Sequence, residues 1–249
     1  MTGCHWSGPV TTKKPAVVPA SDRSYLVLFD ADGTLVDGAP EIVNTMTDAF
    51  AAAGEAPPAP EAIRDLIGMS LPEMIAALAP HLPADRVEVI LAGYRLRYFD
   101  AIERLDEVPA FAGAEPAIVD LRRRGLTLGI VTGKARRGVM YMLRAMECPP
   151  VFSTVQTADE NPSKPHPGMV FRAMAETGFD ARRTIVVGDS RHDIRMARAA
   201  GVRAVGVSWG YNSPGALRAE GALDVARDFD DLTAILLSLC PADTDRTVI

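Results

Sequence analysis

The sequence predicts an α/β fold, a parallel sheet interrupted by one all-helical insertion. Short apolar runs, typical of strands buried on both faces, alternate with amphipathic segments of helical length. Strands separated by helices in this way indicate right-handed crossovers and a parallel sheet. Between residues 39 and 109 the alternation stops and every pattern is helical. At 249 residues and 48% hydrophobic content, the chain is long enough to bury a substantial core.

The first predicted strand, residues 25–29, is an apolar run that leads directly into Asp30 and Asp32. Ligands of open α/β sheets bind beyond the carboxyl ends of the strands, and alternation directs both carboxylates to the same side. Two acids so close need a cation or a shared proton, which Mg²⁺ would provide. One acid could then attack phosphorus while the other transfers a proton. The alternative is an ordinary β-turn, since Asp-Gly is a common turn dipeptide.

The remaining elements follow from the apolar spacing in order along the chain. Ile42, Val43, Met46 and Phe50 share one face of a helix that Gly54 ends. The insertion is predicted to hold helices at 39–53, 62–67, 71–78 and 85–105. Alternation then resumes with helix 114–124, strand 126–131, helix 135–146, strand 151–156, helix 167–177, strand 184–187, helix 191–200, strand 202–207 and helical segments at 214–220 and 229–239.

Three later strand ends carry polar residues that suit phosphate chemistry. The Thr132 hydroxyl and the N–H groups after it could hold a phosphoryl oxygen, unless Thr132 is only a helix N-cap. Lys164 could neutralise charge shared by a carboxylate and a phosphate, unless it is an isolated surface lysine. Asp189 could bind a metal, with Asp193 positioning Lys164 or a metal-bound water. Alternatively, Asp189 is an N-cap and Asp193 a first-turn acid.

Lysine is rare in this chain, which makes two of its positions notable. Of the 26 basic residues, four are lysines, and Lys13 and Lys14 lie near the start. The other two, Lys134 and Lys164, each lie beside a strand-like segment. Lysine is a compact point charge whereas arginine is a wide fork, so this usage indicates a chemical role at both positions.

Composition disfavours several classes of protein. A net charge of −6 without a dense basic run disfavours nucleic-acid partners. Three scattered cysteines, Cys4, Cys148 and Cys240, predict neither a disulfide framework nor a zinc cluster and suit a reducing, cytoplasmic location. The sequence has no apolar run of about eighteen residues, so no membrane partner is expected. Residues 1–23 are interpreted as a flexible leader.

Together these strand ends resemble the four motifs of the haloacid dehalogenase superfamily of phosphohydrolases. The motifs are residues 30–34 (Asp-Ala-Asp-Gly-Thr), Thr132, Lys164 and residues 188–193 (Gly-Asp-Ser-Arg-His-Asp). The resemblance covers nearly the whole chain from Tyr25 onward. It implies a Rossmann-like parallel sheet of order 5-4-1-2-3, built from residues 24–38 and 110–249, with residues 39–109 as a helical cap domain.

The resemblance also implies a role for each motif residue. Asp30 would be the nucleophile that becomes an aspartyl phosphate, and Asp32 the general acid and base. Mg²⁺ would be bound by the Asp30 side chain, the Asp32 backbone carbonyl and Asp189, with Asp193 in support. Asp30 and Asp189 carboxylates more than about 10 Å apart could not share one ion. The phosphoryl group would be held by Asp30, Gly33, Thr132, Gly133 and Lys164.

The insertion resembles the helical cap of the subgroup that includes phosphoglycolate phosphatases, as do residues 207–211 (Val-Ser-Trp-Gly-Tyr) and 213–214 (Ser-Pro). A small phosphorylated metabolite, first phosphoglycolate, is therefore the expected substrate. Arginines of the cap are candidates to bind its carboxylate or a second phosphate. The residues predicted to read the substrate are Arg64, Gly68 and Ser70, with Arg95, Arg97 and Arg104 as further candidates.

Particular residues disfavour some other functions and leave several open. Asp32 favours phosphate chemistry over dehalogenation, and residues 38–112 contain no lysine for the Schiff base of a phosphonate hydrolase. A signalling receiver would place its acceptor after the third strand, where this chain has Gln156. A sugar-phosphate mutase, a pyrophosphatase and an inactive phospho-ligand-binding relative remain alternatives. A monomer and a homodimer are both compatible with the sequence.

Overall fold

A computed structural model describes residues 25–102, 109–146 and 150–241 of the chain. The predicted leader 1–23, Cys4, Arg104 and Cys148 lie outside these residues. The strands within the described ranges are β1 (Leu26–Phe29), β2 (Thr127–Thr132), β3 (Phe152–Thr157), β4 (Thr184–Gly188), β5 (Arg203–Val207) and β6 (Asp224–Ala226). They form one parallel sheet of order β3-β2-β1-β4-β5-β6.

The sheet confirms the predicted class and extends the predicted strand order. The five expected strands lie in the order 5-4-1-2-3, but β6 adds a sixth at the edge beside β5. The predicted five-stranded order was therefore incomplete. A segment of three residues, Asp224–Ala226, is too short to show an alternating or continuous apolar pattern. It becomes a strand because its backbone pairs with Val205–Val207.

The central strand β1 is buried on both faces, and its side chains alternate between two apolar clusters. Val27 and Phe29 pack on one side of the sheet, Leu26 and Leu28 on the other, and none of them is exposed. The first side is covered by α5 (Ala114–Arg123), α6 (Arg136–Ala145) and α10 (Phe229–Leu239). The second is covered by α7 (Gly168–Thr177), α8 (Arg191–Ala199) and α9 (Pro214–Glu220).

The insertion contains four helices among its described residues, as predicted. They are α1 (Ala39–Ala52), α2 (Pro60–Asp65), α3 (Leu71–Leu78) and α4 (Ala84–Ile102). Their apolar faces, including Ile42, Met46 and Phe50 of α1, form a third cluster separate from the two on the sheet. This separation supports the predicted division into a cap at 39–109 and a core, which stays an interpretation.

Helix ends follow the local chemistry of the chain. The second helix begins at Pro60 rather than at the predicted residue 62, because proline is well tolerated in the first turn. Across the described ranges, the helices lack the combined length and apolar content needed to cross a bilayer.

Candidate active site

Parallel pairing places the ends of β1, β2 and β4 side by side. Phe29 is in register with Ile130 of β2 and with Val187 of β4. The Asp30 N–H donates a hydrogen bond to the Val187 carbonyl at 2.9 Å, which extends this pairing one residue beyond β1. Polar residues that follow the three strands therefore meet at one edge of the sheet, although Asp30 and Asp189 are 159 residues apart in the chain.

The Asp30 side chain is 1% exposed, and one of its two oxygens has no hydrogen-bond partner among the described residues. Its Oδ1 accepts hydrogen bonds from the Ala31 N–H at 2.7 Å and from Lys164 Nζ at 2.9 Å. Its Oδ2 is buried and receives no hydrogen bond from the described residues. Burial raises the pKa of Asp30 to about 7, and the Lys164 ammonium only partly offsets this effect. A buried, unpaired carboxylate oxygen costs free energy, so this atom is positioned for an incoming group.

Lys164 is completely buried between two carboxylates, so the surface-lysine alternative is wrong. Its Nζ donates to Asp193 Oδ1 at 2.6 Å as well as to Asp30. Burial lowers the pKa of Lys164, but the Asp193 and Asp30 carboxylates outweigh burial and raise this pKa to about 12. A permanently charged ammonium therefore lies against the carboxylate predicted to attack phosphorus.

Asp193 and Asp189 have different partners. Both side-chain oxygens of Asp193 are engaged by Lys164 or Ser190. Asp193 Oδ2 accepts hydrogen bonds from the N–H of Ser190 at 3.1 Å and from its hydroxyl at 2.6 Å, in a capping box. Ser190, not Asp189, is thus the N-cap of α8. Asp189 instead accepts hydrogen bonds from the Thr34 hydroxyl at 3.2 Å and from the Tyr211 N–H at 2.8 Å.

The site fits a divalent cation. Asp30, Asp189 and Asp193 are all buried, and each offers a carboxylate oxygen within 4.8 Å of the others. This distance is well below the separation of about 10 Å at which Asp30 and Asp189 could not share one ion. Burial, then the Asp193 and Asp30 charges, raises the pKa of Asp189 well above its usual value. The Lys164 ammonium alone cannot balance three carboxylates. Oxygen donors with excess negative charge suit Mg²⁺, so the residues present fit this ion.

Thr132 ends β2 and is buried beside the nucleophile candidate. Its hydroxyl accepts a hydrogen bond from the Lys134 N–H at 3.2 Å. The N-cap of α6 is Ala135, so the interpretation of Thr132 as a helix N-cap is wrong. Thr132, at the end of β2, lines the cavity above Asp30.

Asp32 is linked to the cap through Lys134 and Tyr98. Lys134 Nζ lies 2.9 Å from Asp32 Oδ2 and 2.6 Å from the Tyr98 hydroxyl, and Tyr98 belongs to α4. Burial lowers the pKa of Lys134, but Asp32 and Tyr98 raise it above its usual value. The rarity of lysine singled out Lys134, whereas nothing in the sequence pattern identified Tyr98.

Tyr211 belongs to the segment 207–211 that resembles the phosphoglycolate phosphatase subgroup, but the sequence predicts no role for its side chain. Besides donating its N–H to Asp189, it donates its hydroxyl to Asp37 at 3.1 Å. The same hydroxyl accepts a hydrogen bond from the Ala39 N–H at 3.0 Å. Tyr211 therefore connects the carboxylate cluster to the first residue of α1.

The loop between α2 and α3 closes over the site. The Ser70 N–H donates to the Ser163 hydroxyl at 2.7 Å, next to Lys164. Gly68 has a φ of +107°, and Gly133 approaches the carbonyls of Gly68 and Met69 so closely that a Cβ would overlap both. A side chain at position 133 and this approach of the cap are therefore incompatible.

Replacing Gly133 with Ala is expected to lower kcat/KM by at least about tenfold, because the cap loop must retreat from the site. The free energy of unfolding should also fall, because the overlapped atoms belong to the cap backbone, which must shift away from the core. Steady-state kinetics with urea denaturation would measure both quantities. Ala at Gly178, where a Cβ meets no neighbouring atom but φ is +79°, is the contrasting variant: stability falls and kcat/KM is kept.

A cavity of about 320 Å³ lies between the core edge and the cap. Of the predicted substrate-reading residues, Gly68, Ser70 and Arg95 line it. Arg64 does not, and its guanidinium lies 3.9 Å from Glu61 in an exposed pair on α2. Arg97 is also outside the lining and donates to the Gly93 carbonyl at 3.1 Å. No residue of α2 lines the cavity, and only one face of α4 does, so Arg95 lies in the lining and Arg97 does not.

Comparison with known proteins places this chain in a family. A family model described as haloacid dehalogenase-like hydrolase matches residues 27–207. The chain belongs to the haloacid dehalogenase-like hydrolase family. The matched range includes all four motifs, from Asp30 to Asp193. The resemblance inferred from these motifs is therefore confirmed.

Curated relatives and solved structures of similar proteins agree with this family. A protein of Pseudomonas fluorescens named phosphoglycolate phosphatase is 35% identical over 191 residues, covering 75% of this haloacid dehalogenase-like hydrolase and 70% of the relative. A protein of the same name from Pseudomonas putida is 32% identical over 215 residues, covering 85% and 78%. The crystal structure of a hydrolase from Pseudomonas syringae has a TM-score of 0.78 at 25% identity and covers 88% of this chain and 100% of its own.

Proposed function

We propose that this haloacid dehalogenase-like hydrolase is a Mg²⁺-dependent phosphatase that acts on small phosphate monoesters through an aspartyl phosphate at Asp30. The observation that carries the proposal is the buried Asp30 Oδ2 without a partner, beside the Lys164 ammonium. Asp32 and Thr132 line the same cavity as Asp30, and Asp189 and Asp193 each offer a carboxylate oxygen close to one of Asp30. The names of the curated relatives support the same reaction.

In the first step, Asp30 Oδ2 attacks phosphorus as the bond to the ester oxygen breaks, and the leaving alkoxide takes a proton from Asp32. Lys164 and the Thr132 hydroxyl hold the phosphoryl oxygens. In the second step, a water gives its proton to Asp32 and attacks phosphorus, which releases phosphate and restores the Asp30 carboxylate.

The carboxylates of Asp30 and Asp189 and the backbone carbonyl of Asp32 would hold Mg²⁺, with Asp193 nearby. When bound, Mg²⁺ would supply positive charge that stabilises the negative charge developing on the phosphoryl group. Cap closure would keep water out until the aspartyl phosphate has formed.

Metal removal tests this proposal directly. Protein treated with EDTA is expected to lose phosphate release, and added Mg²⁺ should restore it. Mg²⁺ at 100 times its Kd should also raise the free energy of unfolding by about 2.7 kcal/mol, because it binds only the folded state. Thermal unfolding with and without Mg²⁺ measures this effect, and Asp189→Asn should abolish it. Full activity in the presence of EDTA would contradict the metal assignment.

Phosphoglycolate is the first substrate to assay, since the curated relatives bear its name. Release of inorganic phosphate in proportion to substrate consumed separates a phosphatase from a sugar-phosphate mutase, and pyrophosphate belongs in the same panel. A protein that binds phosphate esters without turnover would be the inactive relative. A cytoplasmic location and the choice between monomer and homodimer stay predictions.

A further inference from the structure

The cavity above Asp30 has two chemically different sides. The core side carries polar groups, among them Asp30, Asp32 and Lys134. The cap side, which we call the roof, is contributed by α1, α3, α4 and the loop before α3. Its apolar side chains include Ile42, Met69, Leu71, Met74, Tyr98 and Phe99.

The roof offers little to a charged substrate group. Of the described cap residues that line the cavity, one is charged, Arg95, and it is exposed to solvent. The polar Ser70 already donates its N–H to Ser163. A carboxylate placed under the roof would lose water and gain there no buried cation, only a neutral donor such as the Ser70 hydroxyl, and this desolvation opposes binding.

Lys134, a buried cation beside the roof, already forms an ion pair with a carboxylate. Lys134 Nζ pairs with Asp32 at 2.9 Å and donates to Tyr98 at 2.6 Å. A carboxylate that bound the third N–H of Lys134 would share the charge of this ammonium with Asp32, the predicted proton donor. Binding of a second negative group would thus compete with the acid that must protonate the leaving group.

The volume of the cavity also indicates a substrate larger than phosphoglycolate. The cavity of about 320 Å³ falls at the lower end of the ~300–1,000 Å³ range of pockets that enclose drug-sized ligands. A phosphoryl group beside Asp30 occupies only the polar side. The two-carbon glycolate group is too short to cover the apolar side chains of the roof, which would then face water.

We propose that the roof selects phosphate monoesters of uncharged alcohols with an apolar alkyl or arylalkyl body, in preference to phosphoglycolate. This inference rests on the proposed function and specifies its substrate class. The phosphoryl group binds on the core side, and the apolar body displaces water from the roof, so binding gains from buried apolar area.

Three primary alkyl esters test this inference in the full chain with Mg²⁺: phosphoglycolate, ethyl phosphate and 2-phenylethyl phosphate. Ethyl phosphate lacks the carboxylate, and 2-phenylethyl phosphate adds the apolar body. The expected kcat/KM, measured by release of inorganic phosphate, is at least about tenfold higher for 2-phenylethyl phosphate than for phosphoglycolate. Ethyl phosphate should lie between them.

A charge placed in the roof should reverse this order. Leu71→Lys puts an ammonium at the first residue of α3 and is expected to lower kcat/KM for 2-phenylethyl phosphate and raise it for phosphoglycolate. Leu96→Lys is the matched control, since Leu96 is 66% exposed on α4 and does not line the cavity, so both values should stay unchanged.

The outcomes separate this inference from the proposed function. Faster hydrolysis of phosphoglycolate than of 2-phenylethyl phosphate by the unmodified protein would overturn the inference and leave the phosphatase intact. No phosphate release from any of the three esters would overturn both. The comparison in the unmodified protein stands whether or not Leu71→Lys folds, and Leu71→Ala, expected to reduce the 2-phenylethyl phosphate value more than the phosphoglycolate value, is the milder variant.

Discussion

Replacing Asp30 with Asn should reduce kcat by at least about 10⁴-fold, because the amide that replaces the buried Oδ2 is not a nucleophile. Asn has nearly the same shape as Asp and can still accept the hydrogen bonds from the Ala31 N–H and from Lys164. The fold should therefore be retained. Phosphate release at saturating Mg²⁺ measures the loss, and near wild-type turnover would remove Asp30 from the mechanism.

The same variant should change how stability depends on pH. Burial raises the pKa of Asp30 from its usual 3.8 to about 7, so without Mg²⁺ the folded protein binds more protons than the unfolded chain between these values. The free energy of unfolding should fall as the pH rises from about 4 to 7, and Asp30→Asn should weaken this fall. Asp230→Asn, at an exposed position of α10, is the control that leaves activity and pH dependence unchanged.

Replacing Lys164 with Met should remove activity and also destabilise the fold. Met fills much of the same volume but leaves the Asp30 and Asp193 carboxylates buried without their cation. Removing one partner of a buried ion pair costs about 3–5 kcal/mol, and the loss of charge beside phosphorus should lower kcat by at least about 10²-fold. Urea denaturation without Mg²⁺ and steady-state kinetics would measure these effects.

Two further variants test the electrostatic origin of this loss. Arg182→Met removes a cation whose side chain is 91% exposed, so the free energy of unfolding should change by less than about 0.5 kcal/mol. Adding Asp193→Asn to Lys164→Met should recover part of the lost stability, because one of the unpaired carboxylates becomes neutral. A Lys164→Met protein as stable and active as the wild type would show that this ammonium is dispensable.

The core of the fold could be predicted because its signal is local. The apolar run before Asp30 is long enough for a strand and too uniform for an exposed one, and every side chain from Leu26 to Phe29 is buried. The helices of the insertion were found from their apolar spacing, to within a few residues at each end that the structure describes; the predicted end of the last one, residue 105, lies outside the described residues. The strand β6 was missed because its three residues, Asp224–Ala226, are ordered by pairing with β5 and not by their own pattern.

For the candidate site, the sequence predicted which residues come together. Parallel strands bring their carboxyl ends to one edge, so residues that follow different strands must lie near one another, as Asp30 and Asp189 do. The partners of each side chain were not predictable. Tyr98 reaches Lys134 across the boundary between cap and core, and Arg64 lies outside the cavity, as does the rest of α2.

The order of apolar and polar residues along the chain was sufficient to determine the parallel sheet, the helical insertion and the polar groups at the strand ends. These depend on short-range periodicity and on the direction of the chain. Tertiary structure alone decided which oxygen of Asp30 lacks a partner, that Lys134 pairs with Asp32, and that the cap covers the site with apolar side chains. Such contacts join residues far apart in sequence, and their geometry depends on how the cap and the core pack together.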